Sequence, residues 1–221
     1  RTAKRPTFID KLGLPYHHVP CPAILSVKKT KYITAEQGIR KIGFSIQLPQ
    51  EQGIVNQCCS DSNYRLSLEM LLHLAGSHEV EIIAHHKSEY FHFLKLLAGT
   101  RIPIHFSSFY HDLHDIYRGL DLVVTTRLHA SLFANGHGIP GIIINDTDRH
   151  THCLEGFPHS VCVNSRDSFN VAFKAISHAD LRGIAIEAER FKSQLMQTYV
   201  ALLEPAFKQL KVTREKALVE S

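Results

Sequence analysis

The chain has 221 residues, 44% hydrophobic and 21% charged, with 25 Lys+Arg against 21 Asp+Glu, a formal charge of +4 and 16 histidines. That length suits one hydrophobic core or two small ones, and the composition excludes disordered, collagenous, coiled-coil and disulfide-rich mini-protein classes. The mild charge and scattered Lys and Arg argue against a nucleic-acid binder, and no apolar run approaches the ~20 residues that span a bilayer.

The first forty residues lack a regular rhythm. Thr7 to Leu12 is helix-like, and Val19-Pro20-Cys21-Pro22-Ala23 reads as an extended segment or turn because two prolines oppose a helix. From Lys41 strands and helices alternate. Lys41–Leu48 reads as a buried strand. Ser60 to Ser62 can cap a helix whose face is Leu68, Leu71, Leu72 and Ala75, with Gly76 to end it. Glu79–His85 is the next strand, and Ser88 can cap a helix carrying Phe91, Leu94 and Ala98, stopped by Gly99. Ile102–Phe106 follows as a strand, then a helical face of Leu113, Ile116, Tyr117 and Leu120. Asp121–Thr126 has the β-branched run of a strand buried on both faces. Leu128–Asn135 reads as a helix closed by Gly136, and Gly141–Asn145 and Val161–Asn164 as strands. Phe169, Ala172, Phe173 and Ile176 mark another helix, and a long helical region from Arg182 to Lys211 is expected to break near Pro205.

Repeated β-then-α steps imply an α/β fold, a doubly wound and mainly parallel Rossmann-like sheet. The expected division is residues 1–40 as the remnant of a preceding domain plus connector, 41–180 as the Rossmann-like domain, and 181–221 as a C-terminal helical region and tail. The five cysteines (Cys21, Cys58, Cys59, Cys153, Cys162) are odd in number and lack C-x-x-C spacing. With no signal-peptide core at the N-terminus, they read as reduced thiols of a cytoplasmic protein.

In such sheets ligands bind at the carboxyl ends of the strands. Strand DLVVTT runs into Arg127-Leu128-His129 at a helix start, where backbone N–H groups favour an anion. The next strand ends at Asn145-Asp146, with Arg149 three residues beyond Asp146. Arg127, Arg149, His129 and Asp146 can therefore face one cleft. Arginine binds phosphate or carboxylate through a planar fork, and histidine can give or take a proton. Spacing alone leaves a bland alternative open, in which the arginine pairs with a nearby Asp and the histidine caps a helix. His85 and His86 lie at another strand end, as substrate contacts or as loop histidines. His111, His114, His150, His152 and Cys153 form no full metal-ligand set by spacing, and Phe91, Phe93, Tyr110 and Tyr117 read as core or helix-face aromatics.

The segment from Thr125 to His150 resembles the polysaccharide pyruvyl transferase family. The elements that carry this are Arg127-Leu128-His129 after a buried strand, Gly138-Ile139-Pro140 before the next, and Asp146-Thr147-Asp148-Arg149 beyond it. Arg1, Thr7, Leu12-Gly13 and Cys21-Pro22-Ala23 are similar to the stretch that leaves that family's first domain. The resemblance implies the C-terminal half of a GT-B-like enzyme of two Rossmann-type domains. It implies transfer of the pyruvyl group of phosphoenolpyruvate to two hydroxyls of a glycan or glycolipid as a ketal, with release of phosphate and no cofactor. His129 would be the acid/base, and Arg127 and Arg149 the donor ligands. Arg1 would be an anion contact from the first domain. From their places at strand ends, not from the resemblance, Asp146, His85 and His86 are expected as further substrate contacts. Exopolysaccharide biosynthesis is the expected setting, with peripheral membrane association through a lipid-linked acceptor.

The family's first domain has a Gly-Asp element that this sequence lacks, and the chain starts at Arg1 with methionine only at positions 70 and 196. An N-terminally truncated enzyme is the expectation. Two other classes stay open. One is a nucleotide-sugar glycosyltransferase of the same architecture, for which Glu155 is the nearby candidate for ribose hydroxyls. The other is a non-catalytic fragment that binds an anionic sugar.

Overall fold

Short β-branched runs, too apolar to leave either face in water, build the centre of the molecule. The structure is a computed structural model that describes residues 21–27, 38–49, 59–145 and 159–219, with side chains through residue 205. Strands β1 (Lys41–Ser45), β2 (Glu79–Ala84), β3 (Ile104–Phe106), β4 (Leu122–Thr125), β5 (Gly141–Ile144) and β6 (Ser160–Val163) form one sheet. Its order is β3-β2-β1-β4-β5-β6, and every neighbouring pair is parallel. β4 and β5 are buried along their whole length, as strands covered on both faces must be.

Helices α1 (Asp61–Leu74), α2 (Lys87–Leu96), α3 (Tyr110–Arg118), α4 (Leu128–Gly136), α5 (Arg166–Ser177) and α6 (Leu181–Val219) cover the sheet. The strands' twofold alternation divides the core. Ile42, Phe44, Ile82, Val124 and Ile142 pack with Met70, Leu71, Phe93 and Phe169 of α1, α2 and α5. Ile83 and Val123 point the other way, against Tyr117, Leu120, Ala130 and Ala134 around α3 and α4. The doubly wound Rossmann-like fold read from the sequence is the one observed, and the sheet is parallel throughout the described strands.

The helices differ from expectation mainly in rotation. Ser60 caps α1 as expected, accepting the Asn63 N–H. The buried face, however, is Asn63, Ser67, Met70, Leu71 and Leu74, while Leu72 is exposed. Ser67 can lie against the sheet because its hydroxyl donates to the Asn63 carbonyl at 2.7 Å. α2 starts at Lys87 with His86, not Ser88, as N-cap, and buries Glu89 and Phe93, with Leu97 buried just beyond its end. Phe91 and Leu94, expected on the inner face, point to solvent, and Tyr110 is also exposed. α6 runs through Pro205 without the expected break. One missing backbone donor is tolerated because Ile184, Ala188 and Leu195 already anchor the helix to the core.

The proline-flanked segment forms a 3-10 turn, Pro22–Ser26, with Pro22 at its start. Ile24 is fully buried in a cluster with Leu132, Ile143 and Leu195. Gly136 permits the approach, since a Cβ there would lie 2.7 Å from Val27 Cγ2 and 2.8 Å from the Ile24 carbonyl oxygen. Lys192, also buried, donates to the Val27 carbonyl at 3.2 Å and pairs with Glu189 at 2.9 Å. The helix-like stretch Thr7 to Leu12 lies outside the described residues.

Candidate functional site

The strand order reverses between β1 and β4, and the crevice at their carboxyl ends is where such sheets bind ligands. β1 ends at the buried Ser45, and β4 ends at Thr125, followed by Thr126 and Arg127. The two ends are laced together. Thr125 Oγ1 donates to the Ser45 carbonyl at 2.8 Å and accepts the Arg127 N–H at 2.8 Å, and Thr126 Oγ1 accepts the Gln47 N–H at 2.8 Å. Arg127 is the N-cap residue of α4, and His129 is the helix's second residue, exposed to solvent. The first turn of α4 carries no acidic residue, so its N–H groups face the crevice edge without a competing carboxylate on that helix.

Beneath this edge lies a buried polar cluster that spans three strands. Glu89, at the third position of α2, accepts the backbone N–H groups of His85 (2.9 Å) and His86 (3.2 Å) through Oε2. Its Oε1 pairs with Nη2 of Arg127. Glu89 is 4% exposed and Arg127 19%. The Arg127 Nε is buried with no hydrogen-bond partner among the described residues. His85 Nε2 shares a 3.1 Å hydrogen bond with the hydroxyl of Tyr117, which is fully buried.

Burial, reinforced by the neighbouring Arg127 and His86, pushes His85 down to about 4. Burial also pushes the Tyr117 hydroxyl well above the usual phenol range, against the opposing pull of the neighbouring Ser45 and Arg127. Both members of that pair are therefore neutral at pH 7.

The structure brings together Arg127, His129 and His85 around the ends of β2, β1 and β4. His86 contributes its backbone N–H, and its side chain is exposed. Asp146, Arg149, Arg1 and Glu155 lie outside the described residues, as do His150, His152 and Cys153. Arg127 does form an ion pair, but its partner is Glu89, distant in sequence, and not the nearby Asp of the bland alternative. Tyr117, read as a core aromatic, is one that also hydrogen-bonds a histidine at the crevice. Taking Ser88 as the cap conceals Glu89, which stands at the third helical position only because His86 is the N-cap. His114 Nδ1 and the buried His137 Nε2 share a 3.1 Å hydrogen bond beside the rings of Tyr110 and Phe133. Among the described residues no three His, Cys, Asp or Glu side chains group as metal ligands, and no helix is long and apolar enough to cross a membrane.

The family model for polysaccharide pyruvyl transferase matches residues 2–148, which include the whole β4–α4 crevice edge. The chain belongs to the polysaccharide pyruvyl transferase family. No curated protein matches the sequence at a significant level. Among solved structures, accessory secretory protein 1, 2 and 3 of Streptococcus pneumoniae is 15% identical, with 88% of this chain and 37% of that one covered and a TM-score of 0.51. The glycosyltransferase SnogD of Streptomyces nogalater is 15% identical over 77% of this chain and 45% of that one, TM-score 0.45. UDP-GlcNAc 2-epimerase of Neisseria meningitidis, solved with UDP-GlcNAc, is 13% identical over 73% and 45%, TM-score 0.42. At these identities the likeness is one of fold, and the chain spans less than half the length of each.

Proposed function

We propose that the protein transfers the pyruvyl group of phosphoenolpyruvate to two hydroxyls of a glycan or glycolipid. The methylene carbon gains a proton, C2 bonds to two acceptor oxygens, and its bond to the phosphate oxygen breaks. Of the two protons lost by the acceptor, one balances that gained by carbon and one leaves with phosphate. Within the family assignment, the observation that carries the reading is His129. It is an exposed imidazole on the first turn of α4, two residues from Arg127, at the carboxyl edge of β4. There it can move the proton of the methylene carbon or of an attacking hydroxyl. Arg127 and Arg149 hold the donor's phosphate and carboxylate, and the α4 N-terminus faces the same charge. Asp146, His85, His86 and Arg1 are proposed substrate contacts. The chemistry needs no cofactor.

The crevice has one wall in the described residues, and we assign the other to a first Rossmann-type domain of a GT-B-like enzyme. A lipid-linked acceptor would bring such an enzyme to the cytoplasmic membrane surface, in the service of exopolysaccharide synthesis.

His129→Ala in the full-length enzyme tests the reading. Phosphate release from phosphoenolpyruvate in the presence of acceptor should disappear, while the melting temperature stays put because the side chain is exposed. Near-normal turnover would remove His129 from the chemistry. Turnover of nucleotide sugars alone would replace pyruvyl transfer by glycosyl transfer.

A further inference from the structure

We propose that Glu89 is a positioning residue that sets the Arg127 guanidinium at the crevice; the proposal rests on the reading of Arg127 as a ligand of the donor's charged groups. Glu89 belongs to α2, which packs on the sheet face opposite α4, and stands 38 residues from Arg127 in sequence. Strands β2, β1 and β4 are adjacent, so the pair reaches across the carboxyl end of β1. One carboxylate thereby joins the β2–α2 elbow, through two backbone N–H groups, to the β4–α4 elbow that presents Arg127 and His129.

Stability gives this arrangement little justification. A cap for α2 could be supplied by a neutral Ser or Asn, whereas removing two charges from water costs several kcal/mol that their attraction only partly returns. What the pair does supply is direction. An arginine side chain has about 2 kcal/mol of rotamer entropy to lose before it can present a fixed fork. Here Glu89 holds Nη2, and it is the guanidinium's one hydrogen-bond partner among the described residues. Among the described residues the rest of the fork has no partner.

Glu89→Gln separates this role from helix capping. The carboxamide oxygen can still accept from His85 and His86, but the ion pair is lost and an amide N–H faces Nη2. Inorganic phosphate is the probe, because every donor considered for this crevice carries a phosphate. In calorimetric titrations of the full-length protein, E89Q and R127A should each weaken phosphate binding by about 10- to 100-fold, the range for losing the partner that orients a ligand. The double variant should be no more than about twofold worse than R127A, and E89Q should unfold within a few degrees of wild type. Wild-type affinity in E89Q overturns the proposal, and so does a loss of equal size in the R127A background, because Glu89 would then act without Arg127. The titration needs no turnover. A wild-type protein that binds phosphate but releases none from phosphoenolpyruvate therefore defeats the pyruvyl-transfer reading alone.

Discussion

Replacing His85 with glutamine should flatten the pH dependence of folding stability. In the native state His85 titrates near 4, against an ordinary value of 6.5, because burial and then Arg127 and His86 oppose its charge. The unfolded chain therefore takes up a proton first as pH falls. This histidine's contribution to stability is complete above about pH 6.5 and is lost progressively between 6.5 and 4. The slope in that window approaches 1.36 kcal/mol per pH unit, giving about 2 kcal/mol by pH 5 and about 3 kcal/mol at the bottom. Partial solvent screening of the half-buried ring lowers the first figure to roughly 1–2 kcal/mol. Glutamine can still reach the Tyr117 hydroxyl and does not titrate. Urea unfolding at pH 7, 6 and 5 of wild type and H85Q measures the term, because the other histidines cancel in the difference. If the difference between the two proteins is the same at all three pH values, His85 is not a buried neutral base and the account of the cluster fails.

Two further predictions concern the scaffold. Gly136→Ala drives a methyl group into the Ile24 carbonyl and Val27, and should cost about 1–3 kcal/mol, read as a lowered melting temperature. No change would mean that the Pro22–Ser26 turn is not seated on α4. On α2, Phe93→Ala should cost about 3–5 kcal/mol and Phe91→Ser less than about 0.5 kcal/mol, measured by urea unfolding. The reverse order would restore the helical face first read from the sequence.

The polar cluster gives the crevice a rigid floor. Ser45, Thr125 and Arg127 are tied by backbone-directed hydrogen bonds, and Glu89 and Tyr117 close the space beneath. His129 is exposed on the first turn of α4. In the proposed reaction it supplies a mobile imidazole beside the fixed charge of Arg127, the division of labour that proton transfer next to a bound anion requires.

Much of this was legible in the residues themselves. The six strands, their order in the chain and the positions of the helices follow from local patterns: β-branched runs of four to eight residues, periodic apolar positions, and glycines at the stops. The segment proposed to carry the chemistry was equally local, since Arg127-Leu128-His129 is contiguous and lies where β4 must end.

What the sequence could not decide is anything set by a surface elsewhere in the chain. Leu71 and Leu72 are equal in hydropathy, and so are Phe91 and Phe93; only the position of the sheet chooses which of each pair is buried. Pro205 opposes a helix by its local chemistry, yet packing of the preceding turns holds the helix through it. Arg127 by itself can be a ligand or an ion-pair partner, and Glu89, 38 residues away, determines its environment. Local propensity and periodicity therefore set the elements and the fold class, whereas the rotation of each helix and the surroundings of the charged site come from long-range packing, which no window of sequence contains.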